Sequence, residues 1–189
     1  MRGDKRERIL RVLLNSKEAL SKNELSKRAE CTRQWVILFL KELEKKKLIK
    51  DTTPTDRKKF LDYWISTAKK PKKFRSYMVR ESLDVLKKSK LDYALTTYQA
   101  ENIVQHYLFP SRIDIYIREE DLDRWHILMT KNGLYGKGNV RVMVADPHVM
   151  YGKRMIDGLS IVSIPQLIVD LTLEGGPCQE AAEILTKRM

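Results

Sequence analysis

Cysteine is scarce: the 189-residue chain has two, Cys31 and Cys178. That number excludes a disulfide framework and a structural zinc site. Cys31 falls at an expected turn and reads as a free, partly buried thiol. No apolar run reaches the roughly 20 residues of a membrane span. The N-terminus, MRGDKRERILRVLL, sets charges before apolar residues. Its apolar positions are periodic and no small-residue cleavage site follows, so it does not read as a signal peptide, and a cytoplasmic location is expected. Histidine is limited to three residues, and only His148 has candidate partners nearby, Asp146 and Lys153 in ADPHVMYGK. One His and one Asp do not make a metal or catalytic site. Gly133, Gly136 and Gly138 in NGLYGKGN lack P-loop spacing, and no Ser or Thr follows Lys137. That segment reads as a flexible connection. Neither an internal repeat nor a low-complexity tract is present.

Positive charge, by contrast, is abundant and unevenly placed. The net charge is +12; residues 1–80 carry 24 Lys+Arg against 10 Asp+Glu, and residues 81–189 carry 13 against 15. A generally Lys-rich protein does not predict this asymmetry, whereas a polyanionic partner for the N-terminal half does.

Within that half, residues 21–59 read as helix, turn, helix and two-stranded ribbon. Ser21 with Glu24 three residues on is a capping box. Thr32 is an N-cap for a second helix, whose Val36, Leu40 and Leu43 recur at three-to-four spacing. Leu48 and Ile49 start a strand, Asp51 to Arg57 form its polar tip, and Phe60 and Leu61 are expected on the return strand. An amphipathic helix through Ile9, Leu10, Val12, Leu13 and Leu14 completes a winged helix-turn-helix over residues 1–70. The basic run Lys69 to Arg75 reads as a linker or as a strip of phosphate contacts. Over 76–189, strands alternate with helices, which predicts a mixed-sheet α/β domain. In the strand RIDIYIR the alternation is strict, with Ile113, Ile115 and Ile117 on one face and Asp114 and Tyr116 on the other. The overall class is therefore α+β.

The two halves together resemble the AbiEi family, antitoxins and transcriptional regulators of type IV toxin–antitoxin systems. The resemblance is carried by Tyr93-Ala94-Leu95-Thr96-Thr97 with the following Ala100 and by the strand Ile113 to Ile117. It continues in Ile164-Pro165-Gln166-Leu167 through Asp170-Leu171 and in Gln179-Glu180-Ala181-Ala182-Glu183-Ile184-Leu185. It implies a nucleotidyltransferase-like fold for 76–189, autorepression through DNA bound by the N-terminal half, and toxin neutralisation through the C-terminal half. Triphosphate chemistry needs a Gly-Ser turn and spaced carboxylates for magnesium. Asp114 has Tyr116 where a second carboxylate belongs and no Gly-Ser pair before it, which leaves only Glu119 as a candidate spatial partner. No catalytic residue, metal or cofactor is therefore expected. The DNA-contact candidates are Lys22, Thr32, Arg33, Gln34, Lys41, Arg57, Lys58 and Lys59. Arg33 and Gln34 suit base edges, the lysines suit phosphates, and Arg57 to Lys59 would lie along the wing. Trp35, Ile37 and Leu38 are apolar away from the assigned inner face, so they suit thymine methyls, cover by neighbouring elements, or a domain or subunit contact. The expected partner is double-stranded DNA, with a toxin protein and a second copy of the chain as further candidates and no membrane. The alternatives are a protein-interaction adaptor that binds DNA only non-specifically, and an active nucleotidyltransferase.

Overall fold

The computed structural model describes the backbone of residues 2–189 and the side chains from Lys5 onward. The chain divides into two compact units, Met1–Ala68 and Lys69–Met189. This boundary redistributes the charge: 18 Lys+Arg against 10 Asp+Glu lie in the first unit and 19 against 15 in the second. Both units are thus basic, and the six cations between residues 69 and 80 belong to the second.

The first unit is built from α1 (Arg2–Asn15), α2 (Lys22–Arg28), α3 (Arg33–Lys45), the strands β1 (Ile49–Lys50) and β2 (Thr53–Pro54), and α4 (Arg57–Thr67). Ser21 caps α2 by accepting the Glu24 amide at 3.0 Å, and Thr32 caps α3 through the Trp35 amide at 3.3 Å. The turn between these helices uses a left-handed Glu30 (φ 51°). The core is one layer of apolar side chains from all four helices, with Leu13, Leu25, Leu40, Phe60 and Trp64 among its fully buried members. The ribbon is shorter than expected. β1 and β2 pair antiparallel over two residues each, closed by a left-handed Asp51. Phe60 and Leu61 do not form a return strand. Asp56 caps α4 by accepting the Lys58 and Lys59 amides, and Phe60, Leu61 and Trp64 then share one helical face.

The second unit is a seven-stranded mixed sheet in the order β6-β3-β7-β5-β4-β9-β8. Its strands are β3 (Phe74–Val79), β4 (Ala94–Thr96), β5 (Ile113–Ile117), β6 (Gly133–Tyr135), β7 (Val140–Val144), β8 (Arg154–Ile156) and β9 (Leu159–Ile161). Its helices are α5 (Ser82–Lys88), α6 (Thr97–Gln105), α7 (Leu122–Lys131), α8 (Ile164–Glu174) and α9 (Pro177–Lys187). β5 pairs parallel to β7 and antiparallel to β4, and β4 runs parallel to β9. One sheet face carries Tyr77, Ile115 and Val142 and buries Trp125 of α7, which meets Tyr93 edge-on at 5.7 Å. The other face is closed by α6, α8 and α9 over β4 and β5. The NGLYGKGN segment is not a flexible connection. A Cβ on Gly133 or Gly138 would sit 2.1 Å from the carbonyl oxygen of Met78 or Tyr77, so these glycines let β6 and the segment after it lie against the β3 backbone. Among the described residues, no helix is long and apolar enough to cross a membrane.

Candidate nucleic-acid interface and the buried ion cluster

Helix α3 buries Val36, Phe39, Leu40 and Leu43. With that face held inward, Gln34, Leu38, Lys41 and Lys45 form an exposed stripe, and Arg33 lies beside it, also exposed. Arg33, Lys41 and Lys45 make no ion pair among the described residues. Glu42, one of the two carboxylates on the helix, is paired with Arg6 at 3.0 Å. Lys22 is exposed at the start of α2, and the hydroxyl oxygen of the exposed Thr32 accepts the α3 amide. Leu38 is 55% exposed, whereas Trp35 and Ile37 are half-buried. Five predicted contact residues thus sit on α2 and α3: Lys22, Thr32, Arg33, Gln34 and Lys41.

The other three do not lie on a wing. Arg57, Lys58 and Lys59 occupy the first turn of α4, because Asp56 caps a helix there. Lys58 and Lys59 are exposed, but Arg57 is half-buried and donates from Nη2 to the Leu14 carbonyl at 2.5 Å. A cation on the last carbonyls of α1 satisfies an end that the helix itself leaves open. The ribbon offers the exposed Lys50 instead. The basic run after it is also partly spent. Lys70, Lys73 and Arg75 pair with Glu174, Glu119 and Asp123 of the second unit at 3.2, 2.6 and 3.4 Å.

In the second unit the polar chemistry is buried. All five residues of β5 are buried, so Asp114 and Tyr116 do not face solvent as their alternation with isoleucine suggests. The ladder registers Thr96, Asp114 and Arg141 side by side across β4, β5 and β7. Asp114, with no exposed surface, accepts from Arg112 at 2.7 and 3.0 Å and from Arg141 at 2.9 and 2.9 Å. The Thr97 hydroxyl donates to the same carboxylate. Glu174 closes the far side of both arginines, at 2.7 Å from Arg112 and 3.4 Å from Arg141. Burial pushes the Glu174 carboxyl up, but hydrogen bonds from Arg112 and Lys70 and the charges of Arg141 and Arg112 outweigh it and hold it down at about 2. Asp170 of α8 accepts from Thr96 at 2.5 Å, Gln166 at 2.8 Å and Tyr116 at 2.9 Å.

The chemical consequence is saturation. Asp114 offers about four lone-pair sites and accepts five donors, so none remains for a cation. Glu119 is paired with Lys73, and does not meet Asp114. Of the other candidate group, Asp146 caps the His148 amide, His148 stacks on Tyr151 at 5.0 Å, and Lys153 pairs with Asp92. No group of three metal-ligating side chains occurs among the described residues.

The cluster's other members, Arg112, Arg141, Asp170 and Glu174, carried no sequence signal as a set, because they come from widely separated segments. A usable hint is Gln166 and Asp170 within the buried, mostly apolar part of helix α8, where an unpaired polar side chain would be costly. Comparison of the chain with models of known families, with characterised proteins and with solved structures yields no match.

Proposed function

We propose that the chain is a sequence-specific DNA-binding transcriptional regulator of the AbiEi antitoxin type, acting in the cytoplasm. On this reading the first unit is a winged helix-turn-helix and α3 is its recognition helix. The second unit is a nucleotidyltransferase-like module without catalysis that contacts a toxin protein. The observation that carries the DNA reading is the α3 stripe: Arg33, Gln34, Lys41 and Lys45 are exposed together, and its three cations are unneutralised among the described residues. Arg and Gln in the first turn can pair with guanine and adenine edges, and Leu38 can meet a thymine methyl. The saturated Asp114 carboxylate supports a non-catalytic second unit. An outward sheet face with Phe74 at 52%, Met78 at 52% and Leu134 at 75% exposure supports a protein contact there, since Met78 and Leu134 are direct cross-strand partners.

The test is binding of the full chain to DNA from upstream of its own gene against a scrambled duplex over a salt series. Preference for the upstream DNA is expected, with affinity falling by about 0.9 log units per log unit of salt for each phosphate neutralised. Arg33→Ala should lose about 1–3 kcal/mol of that preference, while Lys41→Ala should weaken both duplexes alike. Equal, weak affinity for the two duplexes refutes sequence-specific regulation. For the second unit, co-purification of the full chain with a neighbouring gene product should be lost in Leu134→Lys while DNA binding is kept.

A further inference from the structure

The loop between α6 and β5 holds the most exposed large apolar side chain among the described residues, Phe109, at 88%. Its backbone is pinned. The Leu108 amide donates to the fully buried Glu101 at 2.7 Å, and the Leu108 carbonyl accepts from Asn102 at 2.9 Å. Both partners belong to α6, so the helix fixes where Phe109 projects. An aromatic ring held out in this way has little backbone freedom left to lose on binding. Carboxylates stand beside it. Glu180 of α9 lies next to Tyr107, and Glu183 follows one turn later. Both are exposed, and neither makes an ion pair among the described residues.

The open sheet face is the complement of this knob. Phe74, Met78 and Leu134 are its exposed apolar members. Lys72 precedes Phe74 by two residues, Arg80 follows Met78 by two, and Lys137 follows Leu134 by three. These three cations are exposed and make no ion pair among the described residues. The acids on neighbouring segments serve other groups: Glu119 and Asp123 pair with Lys73 and Arg75, and Glu81 lines a cavity at the start of α5. Knob and face lie at one end of the sheet, because Val140 pairs both with Ile113, just after the Phe109 loop, and with Tyr77, beside Met78. One chain thus offers an apolar knob flanked by carboxylates and an apolar face bordered by cations, which is what a self-complementary two-fold contact requires. We propose that a second copy of the chain occupies the sheet face. Phe109 of each copy lies on Phe74, Met78 and Leu134 of the other, and Glu180 and Glu183 meet Lys72, Arg80 and Lys137. The inference rests on the reading that this face makes a protein contact, and it makes a second copy and a toxin exclusive occupants of it.

The experiment measures the mass of the full chain by light scattering and sedimentation over a concentration series. Twice the chain mass of 22.2 kDa is expected. Phe109→Ser and Leu134→Lys, both at exposed positions, should each weaken the dimer about thirtyfold or more. Glu180→Lys with Glu183→Lys should weaken it about tenfold or more, and adding Lys72→Glu and Lys137→Glu to the same chain should restore it. The proposal is overturned by a single-chain mass up to about 100 μM, by a Phe109→Ser chain that dimerises like the parent, or by charge reversals that do not rescue one another. A monomeric parent whose Leu134→Lys variant still loses the neighbouring gene product refutes the second copy and leaves the toxin contact standing. A dimeric parent whose Leu134→Lys variant is monomeric yet keeps that gene product supports the second copy and refutes the toxin contact.

Discussion

Replacing Asp114 with Ala should cost the second unit more than any other single change in the ion cluster. The carboxylate has no exposed surface and takes four guanidinium contacts between 2.7 and 3.0 Å. Removing it leaves Arg112, Arg141 and Lys70 to share Glu174, with Arg141 held only at 3.4 Å. Breaking a buried pair from one side costs about 3–5 kcal/mol, because the remaining charge stays desolvated. Arg141→Met is the milder change. It leaves Asp114 with Arg112 and Thr97, so about 1–3 kcal/mol is expected. With a urea dependence of about 1.5 kcal/mol per M, Asp114→Ala lowers the unfolding midpoint by about 2–3 M. The readout must report on the second unit alone. Cys178 of α9 is fully buried, and burial pushes its thiol up, so it reacts with a thiol reagent only when this unit opens. Thiol labelling of Asp114→Ala in a Cys31→Ser background, across urea concentrations, gives that midpoint. A shift below about 0.5 M, or one equal to that of Arg141→Met, would refute the reading of Asp114 as the desolvated hub.

Three further outcomes follow from the same geometry. Glu174 is held down at about 2 in the folded chain, so its stabilisation is present above its ordinary value of 4.5 and is lost as pH falls through that window. Acid titration followed by circular dichroism should show the loss between these values, and Glu174→Gln should flatten that part of the curve. Arg57→Ala should destabilise the first unit by about 1–2 kcal/mol in thermal melts through loss of the Leu14 contact. It should leave the salt slope of DNA binding unchanged, whereas Lys41→Ala should lower that slope. Gly138→Ala should cost more than about 3 kcal/mol or prevent folding. Gly136→Ala should cost about 1 kcal/mol, because its strain is only that of φ 132° with nothing within 4 Å of the added carbon; comparable melting temperatures for the two would refute the close-approach account.

The elements that were legible in the sequence are those whose determinants are local. The Ser21 and Thr32 caps and the apolar spacing in α1 and α3 identify those helices, because each signal acts over one or two turns. The misread pieces have two causes. Some were local signals overlooked: Asp56 caps α4, and Asp157-Gly158, with φ of 50° and 77°, is a two-residue hairpin turn joining β8 to β9. Others are not local at all. Alternation in Ile113–Ile117 suggests one wet face, yet α6 and α8 cover that face and supply its hydrogen bonds from residues 97 and 170. The candidate DNA residues split the same way. Those on α2 and α3 are exposed because the helix period puts them opposite the core, while Arg57 is drawn inward by a carbonyl 43 residues earlier.

The strand order has a consequence for how the chain is made. β4 and β5 are synthesised early in the second unit, but β9, which flanks β4, lies some 66 residues after Leu95. Glu174, which completes the charge balance around Arg112, follows that arginine by 62 residues. At ordinary elongation rates that interval lasts about 3–12 s. Throughout it the nascent sheet has an open flank at β4 and a surplus of guanidinium charge beside it, while the helical first unit is already complete. The second unit therefore closes in one late step, when α8 arrives and joins strands made long before it.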